Sequence, residues 1–204
     1  SHNFTEPKEP KHCIFEYIYF SRPDSRIFGK NVDKMRRAFG RRLSRENSED
    51  TGDIVISVPD SSNTCALGYS VESGVKYEIG LIRNHYVGRT FIEPMDSIRR
   101  LGVRLKHNAN RAALSGKRVI LIDDSIVRGT TSTKIVELVR AAGATEIHMR
   151  IASPPTSHSC YYGVDTPDRD QLLASKMDVA AMADYIGVDS LAFISVDGMY
   201  RAMG

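Results

Sequence analysis

The stretch 119–133, VILIDDSIVRGTTST, constrains the chain more than any other. Val119, Ile120, Leu121 and Ile122 form a short continuous apolar run, which suits a strand covered on both faces of a parallel sheet. The run ends in two carboxylates, Asp123 and Asp124. A helical pattern follows, with Ile135, Leu138, Val139 and Ala142 spaced i, i+3, i+4, i+7. The reading is strand, acidic pair, Gly/Thr loop, helix.

Loops at the carboxyl ends of parallel strands face the ligand crevice of an open α/β sheet. The first helical turn carries unpaired N–H groups and the positive end of the helix dipole. Gly129 allows close backbone approach, and Thr130, Thr131 and Ser132 add hydroxyls, a combination that holds a phosphate. Adjacent carboxylates repel a phosphate but suit sugar hydroxyls or Mg²⁺. A ribose carrying a phosphate and a metal-bound pyrophosphate would satisfy every part. The plainer alternative is that Asp123 and Asp124 cap the helix and the hydroxyls satisfy its first turn.

The rest of the chain is organised on the same plan. Asp53–Val58 reads as a second buried strand, and Thr64–Ser73 as a helix stopped by Gly74. Between them, Asp60, Ser61 and Ser62 either cap that helix or offer oxygens to a metal–pyrophosphate. Aromatic and β-branched residues mark Cys13–Phe20 as a strand. Val32–Leu43 reads as a basic amphipathic helix with Met35, Phe39 and Leu43 inward and its arginines in water. Val75–Ile82, Thr145–Ala152 and Leu191–Val196 complete the strands, and Pro167–Leu173 and Val179–Ile186 the helices. The long stretch 83–94 has no periodicity, and Arg83, Arg89, Arg99, Arg100, Arg104 and Lys106 surround it. It is either a lid over an anionic substrate or a basic surface loop.

The chain has 204 residues, 41% of them hydrophobic and 26% charged, which suits one domain with an ample core. A net charge of +3, with acids and bases interspersed, argues against nucleic acid. No apolar run reaches spanning length and residues 1–12 contain no signal-peptide core, so a cytoplasmic protein off the membrane is expected. Three cysteines make a disulfide framework unexpected.

The string DDSIVRGTT resembles the phosphoribosyl-pyrophosphate (PRPP) motif of type I phosphoribosyltransferases. EYIYFSRPDS, VPDSS, NHYVGRTFI and SPP followed by CYYGVDTP occur with it, in order, from Cys13 onward. Together they resemble the phosphoribosyltransferase half of the glutamine PRPP amidotransferase family, most members of which have Arg where this chain has His85. The resemblance implies an α/β fold: a mainly parallel twisted sheet flanked by helices, with a flexible lid. It implies transfer of the phosphoribosyl group of PRPP to ammonia, giving 5-phosphoribosylamine and pyrophosphate at the start of purine synthesis.

By position, Ser61, Asp123 and Asp124 would serve Mg²⁺, and the two aspartates also the ribose hydroxyls. Ser125, Val127, Arg128, Gly129, Thr130 and Thr131 would cradle the 5′-phosphate. Asp60, Ser61 and Ser62 would hold the pyrophosphate. Tyr86, Arg89, Thr90 and Lys106 would belong to the lid. Cys13 and Cys160 match two of the four ligands of the family's iron–sulfur cluster. In this chain they are expected to be small buried hydrophobes, because two thiolates do not hold a cluster; Cys65 reads as a helix-core residue. Residues 1–12 are read as a linker or cloning remnant and 13–204 as the phosphoribosyltransferase domain. The glutaminase domain is expected to be missing and the C-terminal segment cut short, which leaves ammonia as the nitrogen source. Purine nucleotides are expected inhibitors, and a homo-oligomer is expected. Two alternatives from other classes remain: a PRPP-binding regulator without catalysis, and a salvage enzyme acting on a free base.

Overall fold

The computed structural model describes residues 11–84, 107–161 and 167–204. Its centre is a parallel sheet of four strands: β3 (Ile54–Ser57), β6 (Arg118–Asp123), β7 (Glu146–Ile151) and β8 (Ser190–Phe193), in the order β3-β6-β7-β8. In register, Ile54 to Ser57 lie beside Val119 to Ile122, and Val119 to Asp123 beside Ile147 to Ile151. Every residue from Val119 to Ile122 is fully buried, because helices cover both faces of the sheet. Burial of each such side chain contributes roughly 1.5–3 kcal/mol.

Strand alternation sorts the core into two layers. Val119, Leu121, Ile147, Met149 and Ile151 pack with Ile135 and Val139 of α4 (Thr130–Ala141) and Met182 and Ile186 of α5 (Val179–Ile186). Ile120, Ile122 and Val55 pack on the other side with Phe39 and Leu43 of α1 (Val32–Glu46) and Cys65 and Tyr69 of α2 (Asn63–Ser73). The helices α1 and α2 meet closely: a Cβ on Gly40 would overlap the Cys65 carbonyl oxygen, and one on Gly68 the Arg37 carbonyl oxygen. Two small antiparallel pairs sit apart: β1 (Arg26–Ile27) with β2 (Lys30–Asn31), and β4 (Leu81–Arg83) with β5 (His107–Ala109), which leads into the short α3 (Arg111–Leu114).

Several expectations are corrected. Cys13–Phe20 is not a strand: Glu16–Phe20 forms a π-helical turn. Tyr17 and Ile18 are neighbours in sequence and both pack in the same core layer, whereas successive residues of a strand point to opposite faces. Arg36 closes that turn from beneath. Its Nε donates to the Tyr17 carbonyl and its Nη2 to the Ser21 carbonyl, each at 2.8 Å, so this helix arginine is buried rather than in water. Val75–Ile82 is also no single strand. Tyr77 bridges Val55, and β4 begins only at Leu81. The backbone at Gly80 passes so near Ile56 that a Cβ there would stand 2.6 Å from Ile56 Cγ2.

Pro167–Leu173 makes no α-helix. Two 3₁₀ turns, Arg169–Gln171 and Leu173–Ser175, are separated by the extended and buried Leu172. The last strand stops at Phe193, and α6 (Val196–Met203) follows. Ser195 caps α6 by accepting from Gly198 N–H at 2.9 Å. The Glu46 carboxylate accepts from both the Ser195 N–H and its hydroxyl at 2.8 Å, docking α6 on α1.

Candidate active site

The parallel pairing of β3 with β6 brings two loops together at the carboxyl edge of the sheet. One is 58–62, which leads into α2; the other is 124–129, which leads into α4. The Pro59–Asp60 peptide in the first is cis. Ser61 Oγ donates to Asp124 Oδ2 at 2.5 Å, and Ser62 Oγ to Asp123 Oδ1 at 3.2 Å. Asp123 Oδ1 also accepts from the Asp124 N–H at 2.8 Å, and Asp124 Oδ1 from Ser125 Oγ at 2.6 Å. At the outer end of the first loop, Arg83 of β4 forms a 2.8 Å ion pair with the exposed Asp60.

These contacts answer the capping alternative. Neither α2 nor α4 has a side-chain cap bond; their N-caps are Ser62 and Gly129. Ser62 spends its hydroxyl on Asp123. Asp123 and Asp124 accept from neighbouring hydroxyls and one local N–H, and not from the first turn of α4.

The pair is poor in solvent, with Asp123 8% and Asp124 7% exposed. Burial pushes Asp123 well above the ordinary carboxylate range, and the neighbouring Asp124 charge pushes it further. Burial also raises Asp124, against the opposing pull of the Ser125 and Ser61 hydroxyls and the Arg36 charge. The guanidinium of Arg36 is itself lowered by burial. Two buried carboxylates side by side are a standing electrostatic cost that a divalent cation removes. The oxygen donors fit Mg²⁺, which binds through one or two carboxylates plus substrate phosphates and water. Among the described residues no group of three or more His, Cys, Asp or Glu could hold a metal.

The second loop closes on Gly129, at φ +78°, which only glycine adopts freely. Ile126 is buried in the core, Arg128 is exposed, and Thr130 and Thr131 are exposed on the first turn of α4. The amides of 129–132 have no partner within the helix; its first internal bond runs from the Thr133 N–H to the Gly129 carbonyl, which also accepts from the Thr133 hydroxyl. A Cβ on Gly129 would lie 2.7 Å from Leu173 Cδ2 and 3.1 Å from Tyr185 Cε1. The steric need for glycine therefore includes packing from the side, which the sequence does not disclose. Gln171, Leu173 and Tyr185 are neighbours of the loop that sequence reasoning missed; no local pattern links them to it.

The structure brings together Asp60, Ser61, Ser62, Asp123, Asp124, Ser125, Val127, Arg128, Gly129, Thr130 and Thr131 on these two loops and the helix start. Tyr86, Arg89, Thr90 and Lys106, with His85, lie outside the described residues. Cys65 is buried as expected, but Cys13 is exposed and Cys160 half-buried, so the buried-hydrophobe reading fails for both. A four-thiolate cluster does not fit the residues present, since the sequence has only three cysteines and Cys65 lies in the core.

The sheet, its two crevice loops and the acidic pair define a phosphoribosyltransferase fold. No protein-family model matches the chain. Against curated proteins, it is 57% identical to the amidophosphoribosyltransferase of Rhizobium etli over 98% of its length. It is 57% identical to the chloroplastic amidophosphoribosyltransferase 2 of Arabidopsis thaliana over 96%. Among solved structures, it superimposes over its full length, at 49% identity and a TM-score of 0.90, on the glutamine PRPP amidotransferase of Bacillus subtilis complexed with ADP and GMP, covering 44% of that chain. The chain is a homologue of the amidophosphoribosyltransferases, corresponding to their phosphoribosyltransferase portion. It spans 40% of the Rhizobium protein and 35% of the Arabidopsis one.

Proposed function

We propose that this chain transfers the phosphoribosyl group of PRPP to ammonia, releasing pyrophosphate and forming 5-phosphoribosylamine. The observation that carries the reading is the junction of the two loops, where Ser61 meets Asp124 and Ser62 meets Asp123. One ligand bound across it would touch a carboxylate pair and two helix starts at once.

Each part has a task in this reading. Asp123 and Asp124 accept hydrogen bonds from the ribose hydroxyls. Their charge also favours the positive character that C1 develops as its bond to pyrophosphate lengthens. The amides of 128–131 and the hydroxyls of Thr130 and Thr131 hold the 5′-phosphate at the start of α4. Asp60 to Ser62 and the start of α2 hold the pyrophosphate end. Mg²⁺ bound by Asp123, Asp124 and Ser61 would neutralise charge on the leaving pyrophosphate. The nitrogen lone pair of ammonia forms the new bond to C1, the C1–O electron pair leaves with pyrophosphate, and one ammonium proton passes to solvent. No covalent enzyme intermediate is required; positioning and electrostatics supply the acceleration.

The nitrogen donor is free ammonia, with a glutaminase domain as its natural source. The ADP and GMP in the Bacillus complex support purine nucleotides as regulators of this chain too. No helix among the described residues is long and apolar enough to cross a membrane. We place the protein in the cytoplasm.

The test is pyrophosphate release from PRPP with Mg²⁺ and ammonium at alkaline pH, compared with glutamine and with a free purine base. Release with ammonium alone is expected. Release only with a base would make this a salvage enzyme. PRPP binding without release under any condition would make it a regulator.

A further inference from the structure

Three consecutive residues of the loop between β6 and α4 are fastened from the side by one remote segment. The Val127 carbonyl accepts from the Leu173 N–H at 2.9 Å. Arg128 donates through Nε and Nη2 to the single Gln171 Oε1, at 3.2 and 2.9 Å. Gly129 lies against Leu173 and Tyr185. The fastening segment is itself tied. The Gln171 N–H reaches the Asp168 carbonyl at 2.8 Å, and Ser175 Oγ reaches the Arg169 and Leu172 carbonyls at 2.5 and 2.7 Å. Leu172 and Leu173 are buried.

Of these three attachments, only the one to Arg128 depends on a polar side chain. Arg128 is otherwise an exposed, long and rotamer-rich side chain. Its fork of donors is rigid, so two bonds to one acceptor set its plane and direction. It directly precedes Gly129, and its own amide belongs to the anion-binding set. Holding its side chain therefore also restrains the backbone that the ligand would meet.

We propose that Gln171 is a positioning residue for this loop: by holding Arg128 it keeps the amides of 128–131 arranged for a phosphate. The inference rests on the proposed function for the identity of that phosphate, the 5′-phosphate of PRPP. Gln171 acts through Arg128 and touches no reacting atom.

The test combines three variants with two measurements on the whole chain. Calorimetric titration with Mg²⁺–PRPP should show Gln171→Leu weakening binding about 10-fold, the scale of losing hydrogen bonds to a charged group. Gln171→Glu keeps the acceptor oxygen and should restore affinity to within about 3-fold. In an Arg128→Leu background, Gln171→Leu should have no further effect, since the residue acts only through that guanidinium. Amide hydrogen exchange without ligand should speed up at Leu173 and Thr133, whose N–H groups bond the Val127 and Gly129 carbonyls of the loop, in Gln171→Leu and stay at the parent rate in Gln171→Glu. Equal weakening in both backgrounds, or unchanged exchange in Gln171→Leu, overturns the inference. If the parent chain binds no PRPP while exchange responds as expected, the functional reading fails and the positioning role stands.

Discussion

Ser61 Oγ lies 2.5 Å from Asp124 Oδ2, joining two loops that are 63 residues apart in sequence. The contact exists because β3 and β6 run parallel and adjacent, so their carboxyl ends open on the same crevice.

Asp123→Asn combined with Asp124→Asn should weaken Mg²⁺-dependent PRPP binding by at least about 100-fold, the scale of losing charge-assisted contacts and the metal together. The variant should remain folded, because it removes two like charges from a buried site. Calorimetry beside thermal denaturation checks both halves. Unchanged affinity in a folded double variant removes the acidic pair from the site.

The same pair sets a pH dependence for the ligand-free protein. Unfolded, both carboxyls ionise near pH 4; folded, both are raised, Asp123 strongly. Between the unfolded and folded values the native state holds protons that the unfolded state has released. This contribution is therefore most favourable below about pH 4 and is lost as pH rises through the folded values. Urea midpoints at pH 5 and pH 8 should show the parent losing stability relative to Asp123→Asn as pH rises. A constant difference contradicts the assignment.

Gly129→Ala should cost about 1–3 kcal/mol in urea denaturation, from a strained positive φ and the approach to Leu173 Cδ2. Shortening the neighbour with Leu173→Ala should make the glycine change less costly than in the parent, although that variant is itself destabilised. Equal costs in both backgrounds would show that the backbone alone demands glycine.

Arg150 of β7 is 4% exposed and forms a buried ion pair with Asp50, which also accepts the Tyr69 hydroxyl. Asp50→Ala leaves the guanidinium uncompensated and should cost about 3–5 kcal/mol. Tyr69→Phe removes one neutral donor and should cost about 1 kcal/mol. Chemical denaturation ranks the two, and a milder Asp50→Ala would place the Arg150 charge in contact with water.

Thiol reactivity separates the cysteines. Burial pushes the Cys65 thiol up to about 12, whereas Cys13 is exposed. A disulfide reagent at pH 8 should modify Cys13 within minutes and Cys65 only on unfolding. Fast modification of native Cys65 would contradict its place beneath α1.

What was legible in the sequence followed from periodicity. A continuous apolar run ending in Asp123-Asp124 suited a covered strand, and Gly74 marked the end of α2. Val179–Ile186 matched its helical pattern residue for residue. The failures arose where distant groups decide. Glu16–Phe20 has the composition of a strand but is held by Arg36, a partner from α1. The short α6 carries a Ser195 cap and Asp197 in its first turn, signals present in the sequence but overshadowed by the apolar run before it. Within the site, both loops could be read from their residue types. The side bracing by Gln171, Leu173 and Tyr185 could not, since a tertiary contact leaves no local pattern.

The most direct measurement is a calorimetric titration of PRPP into the parent chain with and without Mg²⁺, repeated on the Asp123→Asn/Asp124→Asn variant. Saturable one-to-one binding that needs Mg²⁺ and disappears in the variant is the predicted result. Binding that persists in the folded variant, or no binding by the parent at any Mg²⁺ concentration, would contradict the assignment of the crevice between β3 and β6.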